Sequence, residues 1–428
     1  MIYPKLRFNK NFSFEDWLVY IRSQHSIQID MSLERIKSVA KKMNLFHPAP
    51  IVIVVSGTNG KGTTCNVIEK ILIQSNVKTG VYSSPHLISY TERIRISGKE
   101  VSERLLCNAF YDIEKSKEKI VTLTEFEYGT LAALKIFKKS QLEIAILEVG
   151  LGGRLDATNI IDSDISIIVN IARDHVKFLG NDREKIGYQK CGIFRYGKTS
   201  IIGETDIPNS VQISAKKLMT DLFIYGRDWI FEIEKNCWQW KSGECIFRKL
   251  PFSESIPINN VATGLAAIYL LKKNYVNLRK KIKNQHIRNG ILNAKLPGRF
   301  QIIRLKKGPI TILDVAHNFH AAQYLSKRLD YFQSRRKKIY AITSILRDKD
   351  INLILSVLKD KIWQWNFVSN FQDERGLSSK DLSRYMKKSF QHENFLSAYE
   401  SVLKEIEKNV LLVFGSFYIV SEYLKMFS

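Results

Sequence analysis

The chain has 428 residues, 45% apolar and 25% charged, with a formal charge of +24; it exceeds the roughly 250 to 300 residues at which one core stops growing, so two domains are expected. The averages are those of soluble globular proteins. The most apolar stretch near the start, PAPIVIVVSG, falls far short of the ~20 residues that cross a bilayer.

The first residues, MIYPKLRFNKNFSFEDW, contain no apolar core of a signal peptide, so nothing there suggests export. Five cysteines form no CxxC and are odd in number, which argues against a disulfide framework or a zinc site. A monomer in the cytoplasm, with no membrane partner, is the expectation. The positive charge invites a nucleic-acid reading. However, the lysines are spread along the chain, and the dense runs RKKIKNQHIR, SRRKKIY and MKKS are short. Solvated faces are therefore the preferred reading, with no nucleic acid bound. The same field favours an acidic substrate such as a nucleotide or an oligo-glutamate.

Strand-like runs alternate with amphipathic stretches from Ile51 onward: IVIVVS, a helix from about Thr63 to Ser75, then TGVYSS, IAILEVG and ISIIVNIA. That alternation predicts βαβ units and a mostly parallel sheet, an α/β fold. After the Pro-Gly punctuation in LNAKLPGRFQ the scheme restarts, with ITILDVA, a helix from about Ala321 to Phe332, KIYAITSI, a helix near Leu353 to Leu358, WNFV and NVLLVFGSF. The expected division is 1–295 and 296–428.

The segment GTNGKGTT, Gly57 to Thr64, joins the first strand to the first long helix. It departs from the P-loop pattern GxxxxGK[ST], since Val55 stands where the first Gly belongs and Gly62 follows Lys61. The context is nonetheless that of a phosphate cradle, in which glycine-turn amides and a helix N-terminus converge on phosphate oxygens. Lys61 offers a compact charge for the β and γ phosphates, and Thr63 or Thr64 a hydroxyl near the metal. An ordinary strand-to-helix turn is the alternative. Glu148 follows four apolar strand residues, so its carboxylate is expected at the carboxyl end of a strand, where open α/β sheets bind ligands and a Mg2+ ligand belongs. Arg173, Asp174 and His175 follow the next strand at a similar height.

In this order and over nearly the whole chain, GTNGKGTT, VYSSPHL with YTERIRI, FEYGT, LEVGLGGRLDATN, DHVKFLG, KCGIF, LPGRFQ, DVAHN and GSFYIV resemble the folate branch of the Mur ligase superfamily. The resemblance implies a P-loop ATPase-like N-terminal domain with a mostly parallel sheet and a smaller Rossmann-like glutamate-ligase domain. The implied enzyme is an ATP-dependent amide ligase that adds L-glutamate to dihydropteroate and to tetrahydrofolates and their polyglutamates. It uses Mg2+, expected as two ions, and passes through an acyl phosphate.

Carried over by motif, Thr58, Asn59, Gly60, Lys61, Gly62, Thr63, Asn260, Arg299 and Asp314 hold ATP. Ser84, Glu148 and His175 hold metal. Asp30, Met31, Ser32 and Leu33, Thr124, Glu125, Phe126 and Glu127, and Leu155, Asp156 and Ala157 form the pterin site. Asp314, His317 and Ser416 face glutamate. Lys61, His175 and Lys190 are the catalytic set, and Lys190 in QKCGIF matches a lysine that similar ligases carboxylate to a carbamate; its other reading is a plain surface lysine. Lys177 stands where relatives commonly carry Asp, Arg347 where His is usual, and Glu125 where an aromatic is common. Two other readings stay open: a ligase of this fold that only extends folate glutamates, and a basic P-loop protein that binds nucleic acid.

Overall fold

The run Ile51–Ser56 is strand β1, and all six residues are buried, as an unalternating strand must be when helices cover both faces of a parallel sheet. The computed structural model describes residues 8–304, 308–386, 388–406 and 409–427. It continues with β2 (Thr79–Tyr82), β3 (Ile94–Ile96), β4 (Lys99–Glu100), β5 (Ile144–Glu148), β6 (Ile165–Ile168), β7 (Thr199–Ile202) and β8 (Asp221–Ile224). These form one sheet in the order β4-β3-β2-β5-β1-β6-β7-β8. Its pairings are parallel except those of β3, which runs antiparallel to both β2 and β4. From β1 the chain moves to β2 on one side, whereas β6 lies on the other. Such a reversal opens a crevice at the carboxyl ends of the strands. There Val55 pairs with Glu148 and Ser56 with Ile168, which sets the loop after β1 beside the ends of β5 and β6.

One face of this sheet carries Val52, Val54, Ala145 and Leu147 into a core shared with Trp17, Tyr20, Ile36, Phe110 and Leu131 of the helices Phe14–Ser23, Glu34–Lys42, Glu103–Ser116 and Glu125–Lys139. Against β1, β2 and β5 packs the helix Lys61–Gln74, and onto it the helices Ile258–Asn274 and Asn284–Asn293. It begins two residues before the expected Thr63 because Gly60, at φ 82°, ends the loop in the left-handed region and lets Lys61 enter the helix.

A small antiparallel sheet, β9 (Ile230–Ile233), β10 (Trp238–Ser242) and β11 (Cys245–Leu250), is absent from the sequence reading. Its buried side chains include Trp238, Trp240 and Phe247, with Trp229 just ahead of it.

A second sheet runs β12-β13-β17-β14-β15-β16, made of β12 (Gln301–Arg304), β13 (Ile310–Asp314), β14 (Ile339–Thr343), β15 (Gln364–Val368), β16 (Ser389–His392) and β17 (Val410–Phe414). Only β12 runs antiparallel to its neighbour. Alternate residues explain the two covered faces: Ile312, Ala341, Phe367 and Leu412 meet Leu325, Leu329, Ile354 and Leu355. On the other face Leu313, Ile342, Val368 and Leu411 meet Ala398, Val402, Ile419 and Tyr423. The chain divides into two units. One comprises residues up to His86 with Tyr90–Ser253 and Pro257–Ala294; the other comprises Leu87–Ser89, Glu254–Ile256 and Lys295 onward.

Candidate active site

The loop after β1 is tied down by the segment that follows β6. Thr58 N–H donates to the Asn170 carbonyl at 3.0 Å, and the Thr58 hydroxyl bonds both the N–H and the C=O of Ala172, at 2.9 and 3.0 Å. The Asn170 carboxamide takes both main-chain groups of Asn59, accepting its N–H at 3.0 Å and donating to its carbonyl at 2.9 Å. The Thr58 and Asn59 amides are thereby spent inside the protein. The first intrahelical bond is Thr64 N–H to Gly60 O at 2.9 Å, so the N–H groups of Gly60, Lys61, Gly62 and Thr63 are the ones a helix start offers to an anion. Lys61 Nζ donates to Gly57 O at 3.1 Å, which folds its charge over the loop. Of the two threonines Thr63 is otherwise engaged, and among the described residues the Thr64 hydroxyl is buried without a hydrogen-bond partner. Thr63 Oγ1 donates to Gly60 O at 2.9 Å and accepts from Asn260 Nδ2 at 2.8 Å, while Thr64 is fully buried.

Glu148 ends β5, is 5% exposed, and accepts a hydrogen bond from Ser84 N–H at 3.3 Å. Ser84 is held near by Arg95, which bonds the neighbouring Ser83 hydroxyl at 3.0 Å and pairs with Glu69 of the helix Lys61–Gln74 at 3.0 Å. His175, at φ 49°, starts the short helix Val176–Leu179, and its N–H donates to the buried Asp174 carboxylate at 2.8 Å. Among the described residues no three His, Cys, Asp or Glu side chains gather into a metal cage. One buried carboxylate, with a hydroxyl and an imidazole on the segments that follow β2 and β6, fits a divalent metal that arrives on nucleotide phosphates and keeps part of its water. Lys190 closes the helix Arg183–Lys190 and is 2% exposed. Burial and the nearby Lys61 charge push its amine from 10.5 down to about 7.

The glycines of LEVGLGGRLDATN serve close approach. A Cβ on Gly153 would lie 2.7 Å from the Lys190 carbonyl, and one on Gly152 would lie 2.8 Å from Leu179 and 3.8 Å from Met31. Arg154 N–H bonds the Gln189 carbonyl at 2.8 Å. The segment 30–33, the loop 150–157 and the end of the lysine-bearing helix therefore lie together. Asp156 is buried with its carboxylate spent on its own loop, accepting from Leu151 N–H at 2.8 Å and from Thr158 N–H and hydroxyl at 3.0 and 2.6 Å. Ala157 is buried, and Leu155 is 38% exposed. Thr124 and Glu127 form a capping box on the helix Glu125–Lys139. Arg35 bridges Glu127, at 3.2 Å, to Asp30, at 2.8 Å, and His25 meets the same Asp30 oxygen at 3.0 Å. Glu125 pairs with Arg22 at 3.0 Å and with Arg93 at 3.6 Å. Phe126 lies over Gly150, where a Cβ would come within 2.6 Å of its ring. Ser32 bonds Glu34 at 2.7 Å, and Leu33 joins the core.

In the second unit Asp314, at the end of β13, accepts N–H bonds from Phe300 and Ala316, both at 2.8 Å. Burial pushes its carboxyl up, and the nearby Arg299 opposes the shift. The Arg299 guanidinium lies 5.3 Å from the centre of the Phe417 ring, which is 6.4 Å from His317. Ser416, buried just after β17, caps the helix Phe417–Met426 through Ile419 N–H at 3.3 Å. Because β13 and β17 are neighbours, with Asp314 paired to Phe414, Arg299, Asp314, His317, Ser416 and Phe417 share one sheet end.

Residues 55–229 match the Mur ligase middle domain and residues 298–417 the Mur ligase glutamate ligase domain. The chain is 40% identical to the dihydrofolate synthase/folylpolyglutamate synthase of Haemophilus influenzae, with 95% of this chain and 96% of that protein covered. This chain belongs to the dihydrofolate synthase/folylpolyglutamate synthase family of Mur ligases. As a member of that family it is an ATP-dependent acid–amino-acid ligase. Its backbone matches Escherichia coli FolC in complex with DHPP and ADP at a TM-score of 0.91, with 38% identity over 98% of this chain and 99% of that one. It also matches the bifunctional folylpolyglutamate synthase/dihydrofolate synthase of Yersinia pestis complexed with AMPPNP and Mn ion, at 0.91 and 40% identity over 99% and 100%. No described helix is long and apolar enough to cross a membrane.

Within this family member the three departures lie on separate segments. Glu125 is ion-paired as above, Lys177 is exposed in the short helix after His175, and Arg347 N–H bonds the Arg375 carbonyl at 2.8 Å in the second unit. Sequence reasoning passes over Asn170, Arg35 and Arg95, which hold other site residues in place. For Asn170 a signal exists: it sits five residues before His175 on the same strand exit.

Proposed function

We propose that this ligase joins L-glutamate to dihydropteroate and to tetrahydrofolates, in the cytoplasm and as a monomer, with Mg2+ as its metal. The observation that carries the reading is the loop 57–63: Lys61 folded over it and four helix-start amides at a sheet crevice beside Glu148. A carboxylate is a poor electrophile at neutral pH. Its oxygen attacks the γ-phosphorus of ATP, ADP leaves, and the acyl phosphate forms. The glutamate amine then attacks the acyl carbon, and the tetrahedral adduct collapses by expelling phosphate and losing a proton.

Phosphoryl transfer of this kind depends on positioning and charge stabilisation. The amides of Gly60 to Thr63 orient the phosphates, and Lys61 takes up charge developing on the γ-phosphoryl group. Thr63 and Asn260 keep the loop in place. Ser84, Glu148 and His175 would hold the divalent metal, which when bound neutralises phosphate charge. Lys190 has the partly neutral amine that carbamate formation with CO2 requires, and we assign it that modification, which turns a cation into an anion near the metal ligands. Asp30, Phe126, Glu125 and Leu155 face the pterin. Arg299, Asp314, His317 and Ser416 serve nucleotide and glutamate.

The test is ATP-dependent incorporation of labelled glutamate with dihydropteroate and tetrahydrofolate as alternative acceptors. Both should be glutamylated. Labelling of tetrahydrofolate alone would reduce the activity to chain extension, and labelling of neither would overturn the reading.

A further inference from the structure

The strut that holds the phosphate loop is itself gripped by a charged pair with no part in the chemistry above. Asn170 and Ala172 bond Asn59 and Thr58. Between them lies Ile171, beyond the end of β6, where the sheet ladder no longer supplies partners. Both of its main-chain groups are taken by side chains: its N–H donates to Glu204 Oε2 at 3.2 Å, and its carbonyl accepts from Arg183 Nε at 2.9 Å. Arg183 Nη2 also bonds Glu204 Oε1 at 3.0 Å, and Asp206 takes the guanidinium through its carboxylate and, at 2.6 Å, its carbonyl. Four residues beyond Ile171 comes His175.

We propose that Arg183 and Glu204 are positioning residues for phosphoryl transfer, fixing through Ile171 the segment that holds Thr58 and Asn59 and leads to His175. This rests on the ligase reading. A partly exposed ion pair contributes little by itself. This pair differs because it presents a donor to a carbonyl and an acceptor to an N–H, and the two cannot be exchanged. A slack Ile171 would let the loop and the histidine drift, and small displacements in a site of this kind are costly.

The full-length enzyme tests it in three variants: Arg183→Met, Glu204→Met, and the exchange Arg183→Glu with Glu204→Arg. Each is measured for kcat and KM in glutamate incorporation, for binding of a fluorescent ADP analogue, and for melting temperature. The single variants should lose about 100-fold in kcat and bind ADP more weakly, with KM for glutamate unchanged. The exchange remakes the ion pair, so it should recover melting temperature yet stay as slow as the single variants. Recovery of kcat in the exchange, or wild-type kcat in Arg183→Met, would overturn the proposal. Should a methionine variant fail to fold, the exchange, which keeps the ion pair, decides alone, full activity counting against the grip. A wild-type enzyme that labels no acceptor would defeat the ligase reading instead, and ADP binding by the variants would still decide for or against the grip.

Discussion

Asn260 and Gly60 are in such close contact that a Cβ built on the glycine would come within 2.5 Å of Asn260 Nδ2, the atom that donates to Thr63 Oγ1 at 2.8 Å. Gly60 is also left-handed, at φ 82°. Gly60→Ala therefore meets backbone strain and a blocked neighbour together. It should cost about 1–3 kcal/mol in urea denaturation followed by far-UV circular dichroism, and weaken ADP binding. Adding Asn260→Ala should recover part of the stability by removing the obstruction, and none of the ADP binding. A Gly60→Ala enzyme with unaltered stability and affinity would contradict the packing.

Lys61→Ala removes the charge folded over the loop. Turnover should fall about 100- to 1,000-fold, with the urea midpoint close to wild type because, among the described residues, the Lys61 amine bonds a loop carbonyl alone. Ligation near the wild-type rate would refute the assignment of this loop to the transferred phosphoryl group.

Glu148→Gln keeps the side chain's size at the end of β5 and removes its charge. The Mg2+ concentration for half-maximal activity should rise, and saturating Mg2+ should restore only part of the rate. An unchanged metal titration would exclude Glu148 from the metal site.

Lys190→Ala should lose most activity, and short carboxylic acids, which can place an anion in the vacated space, should return some of it. The same acids should do nothing for Lys61→Ala, where a cation is missing. Full activity of Lys190→Ala in bicarbonate-free buffer would rule out the carbamate.

The titration of Lys190 gives a stability test. Its amine lies at about 7 in the folded chain and at 10.5 when unperturbed. Between those values the unfolded chain binds more protons than the folded one, so stability from this group rises with pH across about 7 to 10.5 and is flat below. In CO2-free buffer the wild type should gain stability over Lys190→Met between pH 7 and 9. A pH-independent difference would mean that the amine is not held neutral.

The central strands of the parallel sheets were readable where an apolar run is closed by glycine or a polar turn, as in Ile51–Ser56 and Val410–Phe414, whereas β7, β8 and β16, short and carrying polar residues, were passed over. The small sheet β9-β10-β11 is harder to see. Trp238 and Trp240 alternate with Gln239 and Lys241 ahead of Ser242 and Gly243, a hairpin signal that a reading built on strand–helix alternation passes over. At the site, sequence places residues at strand ends but cannot tell what each side chain is occupied with. The Thr124–Glu127 spacing is a capping box, and Asp156 spends its carboxylate on its own turn. Thr63 is bound to Asn260, 197 positions away. Such pairings arise from tertiary packing, and no local pattern encodes them.

The small aromatic sheet has an optical consequence. Of six tryptophans, Trp229, Trp238 and Trp240 lie in it or at its entrance, with the Trp229 and Trp240 rings stacked at 6.1 Å. Half of the tryptophans thus lie in one region outside the candidate ligand-binding residues. An emission change on adding nucleotide would signal a rearrangement reaching at least one tryptophan, whereas a silent titration would leave occupancy undecided, so an introduced fluorophore is the appropriate reporter for this ligase.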